Sequence, residues 1–185
     1  MKQEIHLDPD KRSWSPSPLT GQVAFVTTLN DDGTSNIAPK SWISMMVFDP
    51  PILALGCNVN HQTGKNILAQ REFVVNIASS DMAELVWKCS EMAHPRPIEA
   101  LGLTPIPAVK VSPPRVAECR AHLECVLDRH ILYGDELVVL GRILAVEIDK
   151  KVCEAADPYA LLKMFVYLEG NKYGVVEKSR RVDDR

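Results

Sequence analysis

The sequence predicts a mainly β protein in which antiparallel strands close into a barrel and short helices are inserted between them. Three observations predict it. Runs rich in β-branched and aromatic residues recur along the chain, most of them bounded by turn signals. Helical spacing of apolar residues is confined to short stretches. Two long β-runs, Val116–Leu132 and Glu136–Asp149, are joined by Tyr133-Gly134-Asp135 alone, a connection short enough only for antiparallel neighbours. With 185 residues, 46% hydrophobic and 24% charged, the chain suits one domain with a packed core. That domain is expected to span 1–185, with 1–20 as an extended lead-in and 177–185 as a tail.

Residues 8–20 hold Pro9, Pro16 and Pro18 and read as extended. Gln22–Leu29 is a strand, and Asn30-Asp31-Asp32-Gly33 is a hairpin-type turn. Ser35–Ala38 and Ser41–Phe48 resume extended structure on either side of Pro39, which is read as an interruption because proline has no N–H to donate. Pro50-Pro51 ends this run, and Ile52–Cys57 is a short buried strand. A polar stretch from Asn58 opens a helix over Thr63–Gln70, and Glu72–Ala78 is the next strand. Met82, Leu85, Val86 and Cys89 predict a helix over Ser80–Ser90 with Ser80 as its cap. Residues 92–115, rich in proline, read as a long irregular loop, a feature more often functional than idle. In Glu136–Asp149 both parities are largely apolar, as in a strand covered on two faces. Asp157–Met164 predicts a helical turn or two, and Phe165–Val176 a last extended run.

Composition excludes several functions. A net charge of −3, from 21 Lys+Arg and 24 Asp+Glu, offers no basic stripe for nucleic acid. No apolar run approaches the length of a membrane span, and the first residues carry no apolar signal region, so a cytoplasmic location is expected. The five cysteines are odd in number and widely spaced, which predicts free thiols. Cys119-x-x-His122-x-x-Cys125 has metal-like spacing, but strand alternation sets His122 opposite both cysteines and no fourth ligand is evident; no metal site is expected.

Chemistry concentrates between Ser35 and Asn66. Ser35–Ser44 mixes Asn, Pro, Lys and serines with Trp42, and Pro39 frees neighbouring backbone groups to bind something else. Asn58–Lys65 gathers amide, hydroxyl and ammonium donors just before a helix, whose unpaired N–H groups favour an anion. Taken alone, the same residues fit a plain helix start capped by Thr63. Trp42 fits a core aromatic as well as a ring contact, and Cys57 reads as a small buried residue.

Four features taken in order resemble the flavin reductase-like family of the FMN-binding split-barrel fold. They are Val26-Thr27-Thr28 with Asn36-Ile37-Ala38-Pro39-Lys40-Ser41; Asp49-Pro50-Pro51-Ile52; Thr63-Gly64-Lys65-Asn66 with Glu72-Phe73-Val74-Val75-Asn76; and Gly102-Leu103-Thr104 followed by Pro113-Pro114-Arg115-Val116-Ala117-Glu118 and Glu124-Cys125. No single motif is specific, but the ordered set covers nearly the whole chain.

The resemblance implies an antiparallel split β-barrel with short inserted helices that binds FMN. It implies that Ala38, Pro39, Lys40, Ser41 and Trp42 line the isoalloxazine, and that Asn58, Asn60, His61, Thr63 and Lys65 surround the phosphate. It also implies a homodimer with the flavin near the interface, which accounts for the two apolar faces of Glu136–Asp149. The implied reaction is hydride transfer from NADH or NADPH to bound FMN, with free flavin or an acceptor protein downstream. A non-enzymatic electron carrier of the flavoredoxin type and an oxygenase component are the alternatives. No Gly-x-Gly-x-x-Gly fingerprint marks a separate dinucleotide domain, so the nucleotide would be a passing substrate. No acid or base is obligatory, and no catalytic side chain is assigned. Lys40 is the candidate to stabilise charge on the reduced ring, and His94 and Arg96 are candidates to meet the nucleotide.

Overall fold

The computed structural model describes residues 16–182, so most of the expected lead-in, and Asp183 and Asp184 of the tail, lie outside the described residues. The first half of the chain forms β1 (Gly21–Gln22), β2 (Ala24–Leu29), β3 (Ser35–Lys40), β4 (Ile43–Phe48), β5 (Pro51–Asn58), α1 (Gln62–Gln70), β6 (Glu72–Ile77) and α2 (Ala83–Glu91). The second half forms β7 (Pro105–Ile106), β8 (Arg115–Val116), β9 (Ala121–Tyr133), β10 (Glu136–Ile148), α3 (Lys150–Cys153), α4 (Pro158–Leu162), β11 (Phe165–Glu169) and β12 (Lys172–Val175). Seven strands make one antiparallel sheet in the order β3-β2-β6-β9-β10-β5-β4. The sheet curls until β3 contacts β5, and the Gly56 N–H donates to the Trp42 carbonyl at 2.8 Å. No ladder joins β3 to β4 or β5, so the barrel stays split there. The mainly β, split-barrel expectation holds.

Strand alternation builds two cores. Ala24, Val26, Phe73, Val75, Leu127, Leu137 and Val139 point into the barrel, where Ile67 of α1 joins them. Val23, Phe25 and Ile37 point outward and are covered by α2 residue Cys89 and by Ile98, Leu101, Leu103 and Phe165. Phe25 and Phe73 are fully buried, and each stabilises the fold by about 1.5–3 kcal/mol through area removed from water. Gly141 faces the Phe73 ring, and a Cβ there would run into the ring edge.

Several local expectations change. Pro39 does not interrupt its strand: β3 runs through it, with Pro39 opposite Phe25. The strand is a sheet edge, and Ile37, of the same parity, donates outward to the Arg96 carbonyl at 2.9 Å. Pro39 therefore occupies a position whose N–H would face away from β2, and no ladder bond is lost. Ser80 opens a 3-10 turn, Ser80–Met82, before α2, and no side chain caps either helix start. The last extended run is a hairpin, β11 with β12, turning at Gly170 with φ +53°. α3 was not foreseen, and α4 is the expected short helix, with bounds inside Asp157–Met164.

The proline-rich stretch has little regular structure, as expected, but it is not loose. It contains a 3-10 turn, Ile98–Leu101, and pairs β7 with β8. Side chains from distant strands accept several of its N–H groups. Glu124, fully buried on β9, accepts from the N–H of Val109 (2.9 Å) and Lys110 (2.5 Å), while Glu72 accepts from Ser112 (2.8 Å) and Asn76 from Val116 (2.9 Å). Among the described residues, no helix is long and apolar enough to cross a membrane, and all five cysteines are free.

Candidate functional site

The site is built where β3 and β5 approach at the split. β5 ends at Asn58, whose carboxamide oxygen accepts the Asn60 N–H at 2.9 Å while its backbone carbonyl accepts from His61 at 3.2 Å. This local turn swings the chain directly into α1. Gly64 is required within it, because a Cβ would overlap the Asn58 carbonyl. The residue at the cap is His61, extended at φ −79° and ψ 146°, and its side chain does not cap the helix. The expected cap, Thr63, lies inside the first turn, fully buried, with its hydroxyl accepting from Asn36 Nδ2 at 3.5 Å. The first-turn N–H groups of α1 thus lack a capping side chain, the condition under which a helix N-terminus takes an anion.

A second segment arrives from the far side. The Ile37 bond to Arg96 and a bond from the Ile98 N–H to Ser35 Oγ (3.4 Å) strap residues 96–98 along the free edge of β3. Arg96 Nε donates to the Met92 carbonyl at 2.8 Å and Nη2 to the Ser90 carbonyl at 3.2 Å, which anchors the guanidinium at the C-terminal end of α2. A guanidinium has more N–H groups than these two bonds use.

Three cavities meet around Pro39 and Lys40. The first, about 320 Å³, lies between Pro39–Trp42 and Gly56–Asn58 and is completed by His61 and Glu136. The second, about 260 Å³, is lined by Ala38, Pro39 and Lys40, by His61 and Thr63, and by Ser90, His94 and Arg96. The third, about 170 Å³, continues from Pro39–Ser41 to Val23, Val86, Trp87 and Tyr167. Among the described residues no carboxylate lines the second cavity, and its basic side chains act on one another. Burial first, then the charges of Arg96, His61, Lys40 and Lys65, hold the His94 imidazole below its ordinary pKa.

The predicted residues divide as follows. Pro39 and Lys40 line all three cavities, Ser41 the first and third, and Ala38 and Thr63 the second. Trp42 is not a core aromatic: it is 62% exposed, and its ring lies against Gly56, which has no Cβ to obstruct it. Asn58 is placed with the ring-sized first cavity, away from the cationic one, while His61 belongs to both. Cys57 is a small buried residue, as expected, and lines the first cavity. Asn60 and Lys65 are exposed and line none of the three. Glu136, Gly56 and Ser90 were missed, and no local pattern in the sequence marks them. His94 and Arg96, expected beside a nucleotide, stand with Lys40 and His61. His122 pairs with Asn76 (Nδ1 to Oδ1, 3.0 Å), Cys119 lies in the outer core and Cys125 in the lumen. Among the described residues no group of three or more His, Cys, Asp or Glu is placed to hold a metal.

The structure is a split antiparallel barrel whose split holds a mainly apolar cavity abutting one lined by basic side chains. The chain belongs to the family of the flavin reductase like domain, whose sequence model matches residues 17–173. It is 31% identical over 166 residues to the uncharacterized protein YwrF of Bacillus subtilis, covering 82% of this chain and 81% of that one. The 2-nitrobenzoate 2-nitroreductase NbaA of Pseudomonas fluorescens superposes with a TM-score of 0.87 at 25% identity, over 99% of this chain and 96% of its own. The flavoredoxin of Desulfovibrio vulgaris superposes with a TM-score of 0.82 at 19% identity, over 100% and 97%.

Proposed function

We propose that this chain binds FMN and is an NAD(P)H-dependent oxidoreductase of the flavin reductase type. The observation that carries the reading is the junction of two cavities: the first has the apolar walls a planar ring requires, the second the cations a phosphate requires, and they share Pro39, Lys40 and His61. The donor set fits the group. Lys40, His61 and Arg96, with the first turn of α1, would hold the phosphate, and Pro39–Trp42 with Gly56–Asn58 would hold the ring. FMN, when bound, supplies the electron transfer itself. The protein orients the ring, and Lys40 stabilises negative charge at its edge. NADH or NADPH approaches as a passing substrate, and reducing equivalents leave to free flavin or an acceptor protein.

The apolar surface extends this reading to a homodimer. Met45, Met46, Val47 and Phe48 of β4 are exposed, as are Leu144, Val146 and Ile148 of β10. A second subunit covering this surface would stand near Trp42 and the first cavity. The free thiols accord with a cytoplasmic location.

An anaerobic titration tests the reading. The purified protein is expected to be yellow, or to become so with FMN, and to bleach with NADH or NADPH alone. Bleaching only with a partner reductase would make it a carrier instead. A colourless protein that cannot be reconstituted with FMN sinks both. Arg96→Ala is expected to weaken FMN binding about tenfold or more, the worth of a charge-assisted hydrogen bond, and to leave riboflavin binding nearly unchanged.

A further inference from the structure

Among the described residues lining the three joined cavities, Glu136 is the one carboxylate. It begins β10, at the end of the long hairpin, where register sets it directly opposite Asn58. Asn58 Nδ2 donates to Glu136 Oε1 at 3.3 Å. That amide cannot easily turn away, because Asn58 is 7% exposed and its oxygen is occupied by the Asn60 N–H. The Val59 N–H donates to the Asp135 carbonyl at 2.9 Å and fixes the hairpin end against β5. A half-buried carboxylate is thus held at the first cavity, which Lys40 and His61 also line.

We propose that Glu136 lowers the reduction potential of the flavin held in the first cavity, in opposition to Lys40. The inference rests on the reading that this cavity takes the isoalloxazine ring. Uptake of a hydride, two electrons and one proton, adds one negative charge to the ring. A fixed carboxylate beside it raises the free energy of the charged product, and a lysine lowers it. Both effects are larger in a cavity with low-dielectric walls than in water. The two side chains therefore set how strong a reductant the loaded protein is, and hence which acceptors it can reduce.

The test is the midpoint potential of FMN-loaded protein, read by equilibration with a reference dye. Glu136→Gln keeps the shape and can still accept from Asn58, but removes the charge. At a fixed applied potential it is expected to increase the reduced-to-oxidised ratio about tenfold, equivalent to about 30 mV for a two-electron couple. Glu136→Asp keeps the charge and is expected to stay within about threefold of the parent, which separates charge from packing. Lys40→Met is expected to shift the ratio the other way. Glu136→Ala, read in the same manner as the glutamine variant, covers the case in which glutamine does not load. A parent protein that loads FMN while the charge-removing variants leave the potential unchanged, or lower it, overturns the inference alone. A parent that takes up no FMN overturns the site reading, and this inference with it.

Discussion

His94 shows how a single residue reports on the site. Its imidazole is held below the ordinary value first by burial and then by the charges of Arg96, His61, Lys40 and Lys65. A phosphate dianion in the second cavity would offset those charges and favour the protonated ring. The His94 pKa is therefore expected to rise on adding FMN, and FMN binding to weaken as pH climbs through the liganded value. An NMR titration of the imidazole with and without saturating FMN checks this; an unmoved titration removes His94 from the anion site. Pro39 carries a different lesson. As a sequence symbol it breaks a strand, yet at an edge position whose N–H would point away from the sheet it breaks nothing.

At the scale of elements, the strap formed by residues 105–116 hangs on buried polar groups. Burial pushes the Glu124 carboxyl up, but the Val109 and Lys110 N–H groups and the Arg115 guanidinium outweigh it and hold the carboxyl below its ordinary 4.5. Arg115 is itself buried and reaches Glu147 as well, at 2.5 Å. A carboxyl depressed in the folded state stabilises fully above its unfolded value, and that stability is lost as pH falls through the folded one. Burial first, then Arg115, also holds His122 below its ordinary 6.5, so acid works against the fold there too. Stability should therefore begin to fall below about pH 6.5 and fall further below 4.5. Glu124→Gln, which leaves the buried Arg115 without one of its two partners, is expected to cost about 3 kcal/mol at pH 7 and less at pH 4. Urea midpoints at the two pH values measure both; equal losses would mean that the charge is not the cause.

For the whole molecule the unsolved surface is β4. Among the described strands it pairs with β5 alone, and all of its residues after Ile43 are exposed, Phe48 to 86%. An exposed apolar edge of this kind invites a second chain. The protein is expected to be a dimer at micromolar concentration, and Met46→Asp combined with Val146→Asp to be a monomer with weakened FMN binding. Light scattering behind a sizing column decides it; a monomeric parent protein excludes the dimer.

Local physics in the sequence determined most of the elements. The strands Gln22–Leu29 and Glu72–Ala78, the Asn-Asp-Asp-Gly turn and the long hairpin at Gly134 were legible because strand preference and turn chemistry act between neighbours. The ordered resemblance singled out Lys40, His61 and Thr63, which line one cavity. Tertiary structure alone decided what joins them. Glu136 reaches the first cavity by strand register across 78 positions from Asn58. Arg96 reaches the second by strapping onto the free edge of β3, far from it in sequence. Both depend on how the sheet curls and where it stays open, which is set by contacts distant in sequence.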